Sequence, residues 1–155
     1  FAARLDPRNF SAWYTMGYLL GKSSDNNKSL DYDKMENCFR QCIRHNPKYT
    51  VAYKALSRLL IVQGLYRIAL ETIDTAIKQE PDMYVHDYHS VRGDVLFELG
   101  EYDDAVAEYD IAIALLLASS SIPDKTKDAG NLYSSIRKVM ALDELGKIRG
   151  LSNFF

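Results

Sequence analysis

Residues 48–81 read KYTVAYKALSRLLIVQGLYRIALETIDTAIKQEP, and the fold of the whole chain turns on this stretch. Tyr53, Leu56 and Leu60 recur at the three-and-four spacing that puts apolar groups on one helix face. Tyr66, Ala69, Leu70, Ile73, Ala76 and Ile77 do the same in a second helical pattern. Gly64 lies between them, where a residue without a Cβ enters the left-handed region at no steric cost and ends the first helix. Pro81 stops the second, because its ring removes a donor and biases Glu80 away from helical angles. The stretch therefore predicts a helical hairpin, one layer thick, that cannot bury both faces by itself.

Outward from this unit the pattern repeats. Pro47 and Pro81 stand 34 residues apart, and Asn46-Pro47 and Glu80-Pro81 close equivalent helices. Gly64-Leu65-Tyr66 returns as Gly100-Glu101-Tyr102, and Ala69 with Ala76 returns as Ala105 with Ala112. Upstream, Trp13, Met16, Gly17 and Leu20 take the places of Tyr53, Leu56, Ser57 and Leu60. On these residues the chain resembles the tetratricopeptide repeat family, whose pattern is W-x2-L-G-x2-Y, then A-x3-F, then P over about 34 residues. The first repeat carries Trp13, Gly17, Phe39 and Pro47, with Met35 and Cys42 in the alanine slots. The second carries Leu56, Ala69, Ala76 and Pro81, with Ser57 for glycine. The third carries Gly93, Ala105, Tyr109 and Ala112, with His89 in the tryptophan slot. The resemblance implies an all-α, right-handed superhelix of stacked helix-turn-helix repeats in a single domain.

The expected segments are the tail of a preceding helix at 1–7, repeats at 8–47, 48–81 and 82–121, and a partial repeat or capping helix at 126–155. Trp13 is the expected main core residue of the first helix. Trp13 and Tyr32 are 19 residues apart, against 13 for Tyr53 to Tyr66, so six residues of the polar run GKSSDNNKSLDYDK form an inserted surface loop. Asp82 is the expected N-cap of a helix from about Met83 to Leu99, followed by one from Glu101 to Ser119. SSSIPDKTKD reads as a loop, and a last helix from Asp128 to Leu145 places Tyr133, Ile136 and Met140 in the slots of Trp13, Met16 and Leu20. LSNFF has no helical partner of its own. The chain opens on Phe1 without a signal-peptide pattern, and is expected to be a piece of something longer.

Composition narrows the function. A net charge of −2 disfavours nucleic acid, which requires a clear basic excess. The longest apolar run, Ile111 to Ala118, is too short for a membrane span. Cys38 and Cys42, four apart on one helix, read as two packed thiols, with no second pair to complete a metal site. Free thiols point to a reducing compartment, so the cytoplasm is expected. His86 and His89 could share a helix face, but His89 occupies a slot where the family packs an aromatic ring. In EYDDAVAEYD, Ala105, Val106 and Tyr109 are expected inward and the carboxylates outward. No P-loop, G-x-S-x-G, H-E-x-x-H or dinucleotide fingerprint occurs, so neither catalysis nor a cofactor is expected.

What remains is the concave surface that stacked hairpins form with their first helices. The stripes expected to face it are Tyr14, Tyr18 and Lys22; Lys54, Arg58 and Val62; Ser90, Asp94 and Glu98; and Ser134, Lys138 and Leu142. Two tyrosines beside two cations, then two acids, make a polarised trough for a peptide or helix of another protein. The alternative is a structural scaffold that assembles, as a homo-oligomer, through its open ends. Some members of the family this chain resembles grip the C-terminal carboxylate of heat-shock chaperones with a lysine and asparagines. The corresponding slots here hold Tyr14, Tyr18, Ala55, Asp87 and Val91, so that binding is not predicted. Replacing Gly64 by Val is expected to cost about 1 kcal/mol or more, since only glycine enters the left-handed turn without penalty. Chemical denaturation of the variant checks this, and an unchanged midpoint would place Gly64 elsewhere in backbone space.

Overall fold

The structure is a computed structural model and describes residues 8–22, 31–79, 84–119 and 124–152. Among them are seven helices and no strands: α1 (Phe10–Lys22), α2 (Tyr32–His45), α3 (Thr50–Val62), α4 (Tyr66–Lys78), α5 (Val85–Glu98), α6 (Tyr102–Ala118) and α7 (Asp124–Ser152). The first six form the hairpins α1–α2, α3–α4 and α5–α6. Each packs on the next, α2 on α3, α4 on α5 and α6 on α7, so the hairpins stack in series as expected. No helix among the described residues is long and apolar enough to cross a membrane.

Two turns explain how the hairpins close. Gly64 has φ +74° and Gly100 φ +80°. At the first, the Leu65 amide donates to the Leu60 carbonyl at 2.9 Å and the Gly64 amide to Ile61 at 3.0 Å. At the second, Glu101 donates to Leu96 at 2.9 Å and Gly100 to Phe97 at 3.0 Å. This paired arrangement satisfies helix-terminal carbonyls that would otherwise be orphaned, and it depends on the left-handed glycine. Two hairpins thus share one device, atom for atom.

Within the first and third hairpins the helices meet ring against backbone. A Cβ on Gly17 would stand 2.8 Å from a ring carbon of Phe39, and one on Gly93 only 2.7 Å from Tyr109. The second hairpin has the smaller Ile73 in the ring's position and accepts Ser57, which is fully buried and donates to the Ala69 carbonyl at 2.9 Å. Between hairpins the core is continuous. Phe39, Leu56, Leu60, Ala69 and Val95 form one buried cluster, and Ile73, Ala76, Tyr88 and Val91 the next. Each fully buried side chain of this size stabilises by about 1.5–3 kcal/mol. Cys38 and Cys42 are buried and free, and burial pushes the Cys42 thiol up to about 11, which keeps it protonated.

Several expectations need correction. α5 begins at Val85 rather than near Met83, with Tyr84 (φ +55°) at its N-cap position and no side-chain cap bond there. α7 begins at Asp124, so part of the supposed loop SSSIPDKTKD is helix, and it runs on to Ser152, into LSNFF. Its inward face is also different. Ser134 and Ala141 are buried, and a Cβ on Gly130 would stand 2.8 Å from Leu116 of α6. Ile136 and Met140, expected inside, are 51% and 44% exposed, and Tyr133 is 46% exposed. The reason is what α7 meets: the polar Ser90 and Asp94 of α5 select hydroxyl and guanidinium partners over apolar ones. Leu132, Ile136 and Val139 are left as an exposed stripe. Trp13 is only half-buried, on the outermost described helix at its end of the stack. The expectations for residues 1–7, the insertion at 23–30, Pro81, Asp82 and Asn153 to Phe155 lie outside the described residues.

The close approach at Gly93 makes a signed prediction. Gly93→Ala should destabilise by about 1–3 kcal/mol, because Tyr109 is fully buried and has nowhere to retreat. Gly146→Ala, on a helix with nothing near its added Cβ, should stabilise by about 0.5–1 kcal/mol. Thermal melts of both variants give the two signs; equal shifts would mean the ring contact is not tight.

Candidate binding groove

The stripes on α1 and α3 converge on one cavity of about 440 Å³. Tyr14, Tyr18 and Lys22 line it from α1, and Lys54, Arg58 and Val62 from α3. Their four-residue spacing puts each set on one helix face, and the packing of the first two hairpins brings the faces together. Met35 and Phe39 of α2 and Ala55 and Leu59 of α3 supply its apolar lining. The sequence reading missed these residues as site residues. Phe39 and Met35 fill packing slots of the repeat, and the same side chains serve both roles.

The walls are ordered by ring contacts. Tyr14 stacks with Tyr18 at 6.4 Å and meets the edge of Tyr49 at 5.5 Å, while Lys22 lies 4.9 Å over the Tyr18 ring. Burial, then the neighbouring Tyr49, raises the Tyr14 hydroxyl above its ordinary value, so it remains a donor. Lys54 lies 5.1 Å over the Tyr88 ring and donates to Asp87 at 2.9 Å. Arg58 is exposed and has no ion-pair partner among the described residues. No acidic side chain among the described residues lines the cavity, although the chain as a whole is net negative. Three cations and three tyrosines, Tyr32 of α2 included, therefore surround an apolar pocket.

The other half of the expected trough is occupied by the fold itself. Ser90 is buried and shares a hydrogen bond with Ser134 at 3.0 Å. Asp94 accepts from Tyr109 at 2.8 Å, Tyr133 at 2.6 Å and Arg137 at 2.9 Å. Burial and the Asp94 bond push the Tyr133 hydroxyl up to about 12. Glu98 faces the same guanidinium at 3.7 Å, and Arg137 covers the Phe97 ring at 4.4 Å. Lys138 turns to Asp110 of α6 at 2.6 Å instead of to the groove. The idea of a free acidic end is thus corrected at Asp94, which Arg137, one turn along α7 from Tyr133, pairs with, while Glu98 stays exposed 3.7 Å from the same guanidinium.

A second network holds the middle of the stack. Arg92 donates to Asp74 at 2.7 Å and to Glu108 at 2.7 Å, and His89 pairs with Glu108 at 2.8 Å. Glu108, expected outside with its acidic neighbours, is buried. Burial alone would raise its carboxyl, but the His89 bond and the Arg92 charge outweigh it and hold the group below the ordinary glutamate value. No cluster of three His, Cys, Asp or Glu side chains among the described residues is arranged to hold a metal.

The chain matches the family model described as Tetratricopeptide repeat-like domain over residues 2–144. Solved structures share the all-α repeat superhelix. A T3SS complex from Aeromonas hydrophila matches with a TM-score of 0.73 at 14% identity, over 94% of this chain and 91% of that one. The first TPR domain of human RPAP3 matches at 0.72 and 13% identity, over 93% and 98%. The first TPR of Spaghetti (RPAP3), bound to the HSP90 peptide SRMEEVD, matches at 0.70 and 13% identity, over 91% and 96%. At these identities the likeness is one of fold. Among curated proteins no relative matches.

The Glu108 network predicts a pH dependence. A carboxyl whose folded-state value is lowered stabilises fully above its unfolded value, here 4.5, and that stability is lost as pH falls through the folded value. Glu108→Gln should lower stability at neutral pH by about 1–3 kcal/mol, since it leaves charged donors short of a partner. Below about pH 4.5 the melting temperatures of the two proteins should converge. A constant gap down to acid pH would show that the network contributes no linked protons.

Proposed function

From a chain that belongs to the tetratricopeptide repeat-like family, we propose a module that binds a polypeptide segment of another protein along the groove of α1 and α3. The observation that carries this reading is the convergence of Tyr14, Tyr18, Lys54 and Arg58 on one cavity with no acidic lining residue among those described. Aromatic and arginine side chains are the types that dominate interface energetics when they are clustered and desolvated on binding. The rigid stack presents them already positioned, which reduces the ordering cost of association. The acidic portion of the partner lies near Lys54 and Arg58. Of these, Arg58 is the free charge, because Lys54 already bonds Asp87. A partner's basic portion has no corresponding place at Asp94, which Arg137 holds.

A bound peptide in the Spaghetti structure supports a polypeptide as the class of ligand, without transferring that ligand here. Panning a random peptide library on the chain tests the reading. Binders should be enriched in Asp and Glu, and Arg58→Glu should weaken them by about 1–3 kcal/mol with the helical fold intact. Enriched peptides that bind wild type and the Arg58→Glu variant equally would count against this placement.

A further inference from the structure

α7 has two faces of opposite character. Ser134 and Ala141 are buried against the array. On the far side Ala129, Leu132, Ile136 and Val139 recur at spacings of three and four, and the last three are 62%, 51% and 64% exposed. Apolar side chains exposed singly are ordinary, but a contiguous row of them along one helix face marks an interaction surface. This row has charged ends. Lys125 lies four residues before Ala129 and Asp143 four after Val139, and both are exposed. The spacing is four-three-four-three-four from either end, the heptad rhythm of a helix seam, symmetric about residue 134.

We infer that the outer face of α7 pairs antiparallel with α7 of a second copy, about a two-fold axis at the level of residue 134. In that register Leu132 of each copy meets Ile136 of the other, Ala129 meets Val139, and Lys125 meets Asp143 at both ends. Parallel pairing would set Lys125 beside Lys125 and Asp143 beside Asp143, so charge selects the antiparallel arrangement. Asp143 keeps its bond to Lys147 at 2.8 Å and has a second oxygen for the other copy. Tyr133 and Met140, both partly exposed, flank the seam on one side.

Length also favours a second α7 as the occupant. α7 has 29 residues, about 43 Å of helix, whereas the other helices have 13 to 17. A helix of 13 to 17 residues stops short of one charged end of the seam. The far end of the array does not match it either, since the exposed row Ser11, Thr15 and Leu19 of α1 has one apolar member. A seam this short could not hold two free helices together. Here α7 is already held helical by α6, so pairing incurs no helix-ordering cost. The result is a weak, closed dimer at the small end of specific interfaces, and it leaves the α1–α3 groove open.

Sedimentation equilibrium of the full chain, from about 1 μM to about 500 μM, tests the pairing. It should show a monomer–dimer equilibrium and nothing larger. Ile136→Glu and Val139→Lys, both at exposed positions, should each weaken dimerisation about 30-fold or more, with an unchanged circular dichroism spectrum. Lys125→Glu should weaken it about 3- to 30-fold, and adding Asp143→Lys should restore it to within about 3-fold of wild type. Arg58→Glu should leave it unchanged. A chain that stays monomeric, a dimer indifferent to Ile136→Glu, or a Lys125→Glu defect that Asp143→Lys does not repair would overturn the pairing. Growth beyond a dimer would overturn it in favour of end-to-end stacking.

Discussion

An aromatic ring laid against a helix backbone without a Cβ sets how closely each outer hairpin closes. Phe39 on Gly17 and Tyr109 on Gly93 are the two instances, and both rings are buried to within a few per cent. The consequence extends beyond local packing. Because each pair is drawn tight, its remaining apolar groups face the neighbouring pair and are covered only by stacking. The cluster around Leu60 draws on all three hairpins and the one around Ile73 on two. A thin unit that cannot hide its own apolar surface thus becomes an array, and the array has an inner face.

The inner face is not uniform along its length. At α1 and α3 its side chains remain available, and they gather at a cavity with cationic edges. At α5 they are drawn inward. That helix has buried residues on every side, including His86, Ser90 and Gly93, because α3, α4, α6 and α7 all lie against it. Polar groups enclosed in this way require partners, and they find them in Ser134, Arg137, Tyr133 and Tyr109. Unpaired, Asp94 or Arg137 would carry a large desolvation cost. The lock that fastens α7 therefore also ties up the Asp94 carboxylate that would otherwise face the groove.

The two halves of the fold accordingly have different electrostatic characters. In the middle, Arg92 is shared between Asp74 and Glu108 and spans α4, α5 and α6. Near the first hairpins the charges face outward, and the pair of Lys54 with Asp87 sits at the boundary. A ligand of the proposed groove would meet cations at the α1–α3 end and an Asp94 carboxylate already bonded by Arg137 at the other. Steering toward the α1–α3 end follows from this asymmetry.

The amino-acid sequence determined the helical hairpins, their turns and their order. Gly64 and Gly100 announce left-handed caps, the alanine slots announce close helix packing, and both are local features set by backbone sterics. It also determined which α1 and α3 residues share a face, because four-residue spacing fixes direction on a helix. Tertiary structure alone decided the register of α7 and the fate of the third stripe. Residues 130–141 carry apolar groups on more than one face, so periodicity did not say which would be covered. The answer came from partners far along the chain: Asp94 bonds Arg137, and Glu108 turns inward toward Arg92. A buried charge is stable only where its counter-charge is, and that position exists only once the helices have stacked.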